Sequence, residues 1–331
     1  MKRNDIGFQL HSFYNLSRYV FLKIEYTYNL EIEKHDITLP QLRVLWIIRC
    51  FPGISQDKIA KIGCWSPPTV SDIIKILFQK DLIYKEDTSN KKTHTLKLTS
   101  LGEEKILETK IKKDSNIALL KLLNEFSYED LNLLSDTLKF TIITEDNKYI
   151  LEYIERLNEL ELKFDFNDFA NSQRDYIKKL VFIYNLIRIF VLTIQSKHSS
   201  ILIDFNLTYP QLRALNIIKA FPNIISSELS KIGFWSKSTA NLIVRNLYKK
   251  ELIYKQKGNV KNSIHINISD KGESILSYDI KNNFQNIDII NTLKSLHNDL
   301  IYINSILSKM NDLMENDLVT NIILRTYEGM V

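Results

Sequence analysis

The chain repeats itself once at a fixed offset of 170 residues, and this repeat constrains its fold more than any other feature. Pro40-Gln41-Leu42-Arg43 returns as Pro210-Gln211-Leu212-Arg213. Lys61-Ile62-Gly63 with Trp65-Ser66 returns as Lys231-Ile232-Gly233 with Trp235-Ser236, and Leu82-Ile83-Tyr84-Lys85 as Leu252-Ile253-Tyr254-Lys255. Upstream, Tyr14-Asn15-Leu16 and Arg18 match Tyr184-Asn185-Leu186 and Arg188. No gap is needed from position 13 to position 103. Two copies are too few for a solenoid, which needs at least three stacked units. Each copy, at roughly 160 residues, is long enough to bury a core of its own. The expected organisation is a first domain over 1–147, a helical connector over 148–170 and a second domain over 171–331.

Composition narrows the class. Only 8 of 331 residues are glycine, which argues against a nucleotide-binding α/β enzyme with glycine-rich phosphate loops. Two cysteines, Cys50 and Cys64, exclude a disulfide scaffold and a cysteine-rich zinc module. The most apolar run, Leu180 to Leu192, is interrupted by Asn185 and Arg188 and falls short of the ~20 residues that span a bilayer. No long apolar stretch follows Met1, so the expected location is cytoplasmic, at the nucleoid, with no membrane partner. The net charge of +5 is mildly basic and does not by itself establish a nucleic-acid partner.

Within one copy, Leu16, Val20, Ile24 and Tyr28 recur at helical spacing and predict a helix from Phe8 to about Lys34. Thr38 and Pro40 open a second helix, which runs to about Arg49. Ser55 opens a short third helix, with Gly63 read as its left-handed terminator. Ser66 then caps a fourth helix with Pro67 at its first position. In that helix Val70, Ile73, Ile74 and Leu77 form a buried stripe, and Thr69, Ser71, Asp72 and Lys75 the opposite face. Leu82 to Tyr84 and Thr93 to Leu98 read as a β-hairpin with a charged tip. Thr99 to Gly102 opens a further helix, expected to be long, and Ser127-Tyr128-Glu129-Asp130 is a capping box for another. The fold class is mainly α with small β-hairpin wings: two tandem winged helix-turn-helix domains flanked by long helices.

These residues resemble the MarR family of bacterial transcription regulators. The resemblance rests on Gln41-Leu42-Arg43, on the helix-turn-helix containing Ile59-Ala60-Lys61-Ile62-Gly63, and on Leu82 to Lys85. The wing Asp87-x-Ser89-Asn90-Lys91-Lys92 and its exit Leu98-Thr99-x-x-Gly102 add to it. Lys61 to Thr69 is similar to the transition-state regulators of that family, and the tandem layout to its double-length staphylococcal members. The resemblance implies dimers built from outer helices and two winged helices reading one pseudo-palindrome, with repression the default outcome. It also implies a small aromatic anion or a protein as possible effector, Tyr14, Tyr19, Tyr26 and Tyr28 being candidates for a cavity. The second wing, Lys257 to Asn262, lacks the Asp and the Lys-Lys pair, so unequal half-sites are expected.

A recognition helix presents its N-terminal residues to the major groove. The candidate DNA-binding residues are Ser66, Pro68, Thr69, Ser71 and Lys75 in the first copy, and Ser236, Lys237, Ser238, Thr239, Asn241 and Arg245 in the second. Asn pairs bidentately with adenine and Arg with guanine, so the second copy is the sharper base reader. Lys91, Lys92, Lys257 and Lys261 in the wings suit phosphate. Asp72 is expected to pair with Lys75. Asp36 to Glu103 holds 10 basic and 7 acidic residues, and Asn206 to Glu273 holds 11 and 4, whereas Glu104 to Asp165 holds 9 and 14. Positive charge therefore gathers on the winged helices, as a phosphate-facing surface requires.

The flanking helices carry broad apolar surfaces, among them Leu131, Leu134 and Leu138, with Ile303, Ile306 and Leu307 in the second copy. They suit an intrachain pseudo-dimer, with a homodimer as the alternative. Six scattered histidines show no ligand spacing, and no nucleophile elbow or phosphate loop occurs. The expectation is a regulator with no catalytic residues, no cofactor and no metal. Cys64 reads as an inert thiol. Two other readings stand beside the sequence-specific regulator: a protein-interaction module and an architectural DNA binder with little sequence preference.

Overall fold

Thr38 and Gln41 exchange a capping interaction at the first turn of the second helix, the Thr38 amide donating to Gln41 Oε1 at 3.1 Å. Thr208 and Gln211 do the same in the second copy at 3.2 Å. From these caps to the end of the wing the two copies build the same elements in a computed structural model of the chain. It describes residues 5–87, 94–143, 148–163, 169–258, 263–282, 288–316 and 318–328.

The first copy runs α1 (Ile6–Ile32), α2 (Leu39–Cys50), α3 (Gln56–Gly63), α4 (Pro67–Gln79), β1 (Ile83–Asp87), β2 (His94–Leu98), α5 (Ser100–Glu108), α6 (Tyr128–Ile143) and α7 (Lys148–Lys163). The second runs α8 (Asn171–Leu202), α9 (Tyr209–Ala220), α10 (Ser226–Gly233), α11 (Lys237–Lys249), β3 (Ile253–Lys257), β4 (Ile264–Ile268), α12 (Asp270–Asn282), α13 (Asp288–Leu293), α14 (His297–Leu313) and α15 (Val319–Glu328). β1 pairs antiparallel with β2, Ile83 opposite Leu98, and β3 with β4, Ile253 opposite Ile268. Ile54 bridges to Leu96, and Ile224 to Ile266, which ties each wing back to the turn after α2 or α9. The chain thus holds two winged helix-turn-helix domains flanked by helices.

Two expectations need correction. The helix opened by Thr99 is short: α5 ends at Glu108, and the Thr109 hydroxyl donates to the Lys105 carbonyl at 2.9 Å. Gly63 is not the left-handed residue after α3. It stays helical, and Cys64 takes φ 53, as Phe234 does in the second copy. Gly63 serves a different need: a Cβ there would overlap the Trp65 ring, and one at Gly233 would overlap Trp235.

The chain divides into two compact units, residues 23–190 and residues 1–22 with 191–331. Repeat copies and compact units are therefore different partitions of the chain. In the unit of residues 23–190, Leu42, Leu45, Ile59, Val70, Ile74, Leu77 and Leu96 build the winged-helix core. α7 lies against it through Tyr153 and Leu157. The first twenty residues of α8 belong to this unit as well. Tyr176 is bonded to both the amide and the carbonyl of Phe126, and Lys179 donates to Ser135 Oγ at 2.9 Å. In the other unit the N-terminal part of α1 is held by a ladder of buried asparagines. Asn304 donates to the Gln9 carbonyl at 3.0 Å, Asn311 to that of Leu16 at 3.1 Å and Asn316 to that of Tyr19 at 3.3 Å.

Candidate nucleic-acid interface

α4 and α11 stand on apolar feet. Val70, Ile73, Ile74 and Leu77 are buried under α4, and Ala240, Ile243, Val244 and Leu247 under α11. Every side chain expected on the outer face is exposed: Ser66, Pro68, Thr69, Ser71, Asp72 and Lys75 on the first helix, Ser236, Lys237, Ser238, Thr239, Asn241 and Arg245 on the second. Ser66 Oγ accepts from the Thr69 amide at 3.4 Å and Ser236 Oγ from the Thr239 amide at 3.1 Å, so both serines cap their helices. Asn241 Oδ1 accepts from Ser226 Oγ at 2.6 Å, which orients the amide on the exposed face. Asp72 makes no ion pair with Lys75 among the described residues, so the expected pairing is absent. Lys257 ends β3 and is exposed. Lys91, Lys92 and Lys261 lie outside the described residues.

Beside α2 and α9 a small cavity occurs at one repeated position. In the unit of residues 23–190 its volume is about 80 Å³. Its lining includes Tyr28, Trp46, Tyr153 and Tyr184, with the cations Arg43, Lys110 and Arg188. Arg188 is 1 % exposed, and its Nε and Nη2 have no hydrogen-bond partner. Leaving two buried guanidinium nitrogens without a partner is costly. In the other unit the equivalent cavity shrinks to about 30 Å³. There Tyr209 replaces Leu39 and accepts from Arg18 at 3.1 Å, and Tyr14 bonds to Tyr209. His11 also lines it, beside Thr326 at 3.0 Å; burial, and then Arg18, push its imidazole down to about 3. Of the four tyrosines expected at a cavity, Tyr28 and Tyr14 line one, Tyr19 is buried beside Phe234, and Tyr26 is exposed.

Sequence reading missed the buried arginines. Arg18 and Arg188 were visible as a repeated Tyr-Asn-Leu-x-Arg, but only as a mark of duplication. An arginine on an otherwise apolar helical face is the signal that points to them.

The MarR family profile matches residues 37–94 and again residues 207–260. The profile thus hits the chain twice, at the same place in each copy. Each match runs from the approach to α2 or α9 through the recognition helix into the wing, so the MarR type covers the elements described above. MarR domains are the winged helices of DNA-binding transcription regulators. No curated protein matches the chain. Among the described residues no helix is long and apolar enough to cross a membrane.

Proposed function

We propose that the chain is a sequence-specific transcription regulator, a repressor by promoter occlusion, that reads a pseudo-palindromic DNA site with α4 and α11. The observation that carries this is the pair of capped helices with buried apolar feet and an exposed face of Thr69, Ser71 and Lys75 or Thr239, Asn241 and Arg245. Asn241 and Arg245 suit adenine and guanine edges, and Ser66 and Ser236 approach phosphate at helix N-termini. Lys91, Lys92, Lys257 and Lys261 supply further phosphate contact from the wings. One chain, divided by sequence at 147 and 171, would act as a pseudo-dimer in the cytoplasm, at the nucleoid. Support comes from the exchange of segments: residues 1–22 join the second copy's unit, and residues 171–190 the first copy's. A solution mass of 38.9 kDa fits this reading, and twice that fits a homodimer.

The effector in this reading is a small organic anion with a ring, seated against Arg188 and Arg43 in the larger cavity. Benzoate, but not neutral benzamide, is expected to raise the melting temperature and to alter DNA affinity.

Selection of bound fragments from genomic DNA at near-physiological salt tests the whole reading. Two enriched half-sites about 10 bp apart, with affinity falling steeply as salt rises, are expected. A bound pool without enrichment points to an architectural binder instead. A second reading, a winged helix that holds a protein, draws support from Asp72, exposed and unpaired on α4. Absence of DNA binding at low salt favours it.

A further inference from the structure

Arg43 and Arg213 occupy the same repeat position, in the Gln-Leu-Arg of α2 and α9, yet they point to different tasks. Arg213 is buried and donates through Nη2 to the carbonyl of Gly233, the last helical residue of α10. Its guanidinium carbon also lies 4.2 Å from the centre of the Trp235 ring. Gly233 and Trp235 flank Phe234, the left-handed residue of the turn, and Ser236 caps α11 immediately after. One side chain therefore grips both sides of the turn that aims the second recognition helix. Arg43 does not do this. Its Nη2 donates to Glu25 and, at 3.2 Å, to the Tyr184 hydroxyl, which itself donates to Glu25.

Neither the turn nor the surrounding charge explains the divergence. Gly63, Cys64 and Trp65 make the same turn as their counterparts, with the same ring packed over the same glycine. Each arginine also faces a second guanidinium, Arg188 beside Arg43 and Arg18 beside Arg213, so repulsion is common to both. Position 25 differs: the first copy has Glu25 and the second has Gln195. A carboxylate attracts a guanidinium about twice as strongly as a neutral acceptor. With only an amide at 195, the arginine is left to the backbone carbonyl. Tyr209 reinforces the choice by engaging Tyr14, the counterpart of Tyr184.

We propose that Arg213 is a positioning residue that fixes the second recognition helix, and that Glu25 withholds Arg43 from the same role in the first. The two halves then present their DNA-reading helices with unequal rigidity, set by a residue that is not on the DNA-reading face. The consequence for DNA rests on the function proposed above, but the holding itself is a property of the free protein.

Amide hydrogen exchange on the full chain, without DNA, reads it. Amides of residues 234–236 and 239–241 are expected to exchange about tenfold more slowly than those of 64–66 and 69–71 in the wild type, residues 67 and 68 being prolines without an amide hydrogen. Glu25→Gln should free Arg43 for Gly63 and Trp65 and slow exchange over 64–71 about tenfold. Gln195→Glu should speed exchange over 234–241 by a similar factor, and Arg213→Lys by less than Arg213→Met. A merely structural Glu25 gives the opposite sign, since losing a buried partner speeds exchange. Unchanged or faster exchange over 64–71 in Glu25→Gln overturns the role of Glu25, and unchanged exchange over 234–241 in Arg213→Met overturns that of Arg213. With a half-site DNA in hand, Glu25→Gln should lengthen residence at the site read by α4. A chain that binds no DNA refutes the regulator and leaves the exchange result standing.

Discussion

Arg156, on α7, donates to the carbonyl oxygen of Cys50 at 2.9 Å and so closes the C-terminal end of α2. Its guanidinium carbon lies 4.6 Å from the centre of the Phe51 ring. Arg325, on α15, repeats this on Ala220 at 2.7 Å and on Phe221. A cation at a helix C-terminus satisfies an orphan carbonyl and complements the helix dipole. Both arginines are partly exposed, which discounts the effect to about 1 kcal/mol. Arg156→Ala should lower the unfolding free energy by that amount, read as a lower urea midpoint at an unchanged m-value, and Arg325→Ala should do likewise in the other unit.

Arg245 is exposed on α11, one turn beyond Asn241. Arg245→Ala should cost about 1–3 kcal/mol on the selected site and relax preference at one base position. Lys91→Ala with Lys92→Ala should weaken all sequences alike and flatten the salt slope. Fluorescence anisotropy on matched and scrambled duplexes separates the two behaviours. Equal loss on both duplexes for Arg245→Ala removes it from base reading.

Arg188 carries a buried charge with two unpartnered nitrogens. An apolar residue of similar volume in such a place is commonly neutral or stabilising. Arg188→Met should therefore hold or raise the melting temperature of the apoprotein and abolish the stabilisation by benzoate. A variant that still responds to benzoate places the anion elsewhere.

His11 is neutral in the folded chain, its pKa pushed from 6.5 to about 3 by burial and then by Arg18. Below pH 6.5 the unfolded chain takes up a proton that the folded chain refuses. Stability from this site is complete above that pH and falls towards pH 3, by at most about 1.4 kcal/mol per pH unit. His11→Gln should flatten the decline in unfolding free energy between pH 6.5 and pH 4. An unchanged slope means that the imidazole accepts its proton in place.

The recognition helices were legible because their determinants are local. Ser66 and Pro67 fix where α4 starts, and Val70, Ile73, Ile74 and Leu77 fix which face turns inward. The Ser127 capping box was equally readable, with Ser127 and Asp130 bonding reciprocally at 3.1 and 3.3 Å. What escaped depends on contacts distant in sequence. Leu16, Val20, Ile24 and Tyr28 announce an apolar face, but the spacing does not say that α1 changes unit after Leu22. Identical Gln-Leu-Arg motifs gave no hint that Arg43 and Arg213 diverge, since the deciding residues, Glu25 and Gln195, lie 18 positions upstream. The left-handed residue fell on Cys64 rather than Gly63, because the glycine was needed to admit a ring.

The division of α1 between two units has a consequence for the order of synthesis. Residues 1–22 leave the ribosome well before the residues they pack with, which lie between 191 and 331. At about 5–20 residues per second, Leu10, Phe13, Leu16 and Val20 wait roughly 15–60 s for their burial site to exist. During that interval the nascent helix offers an uncovered apolar face to chaperones and to the same segment on neighbouring ribosomes of one message.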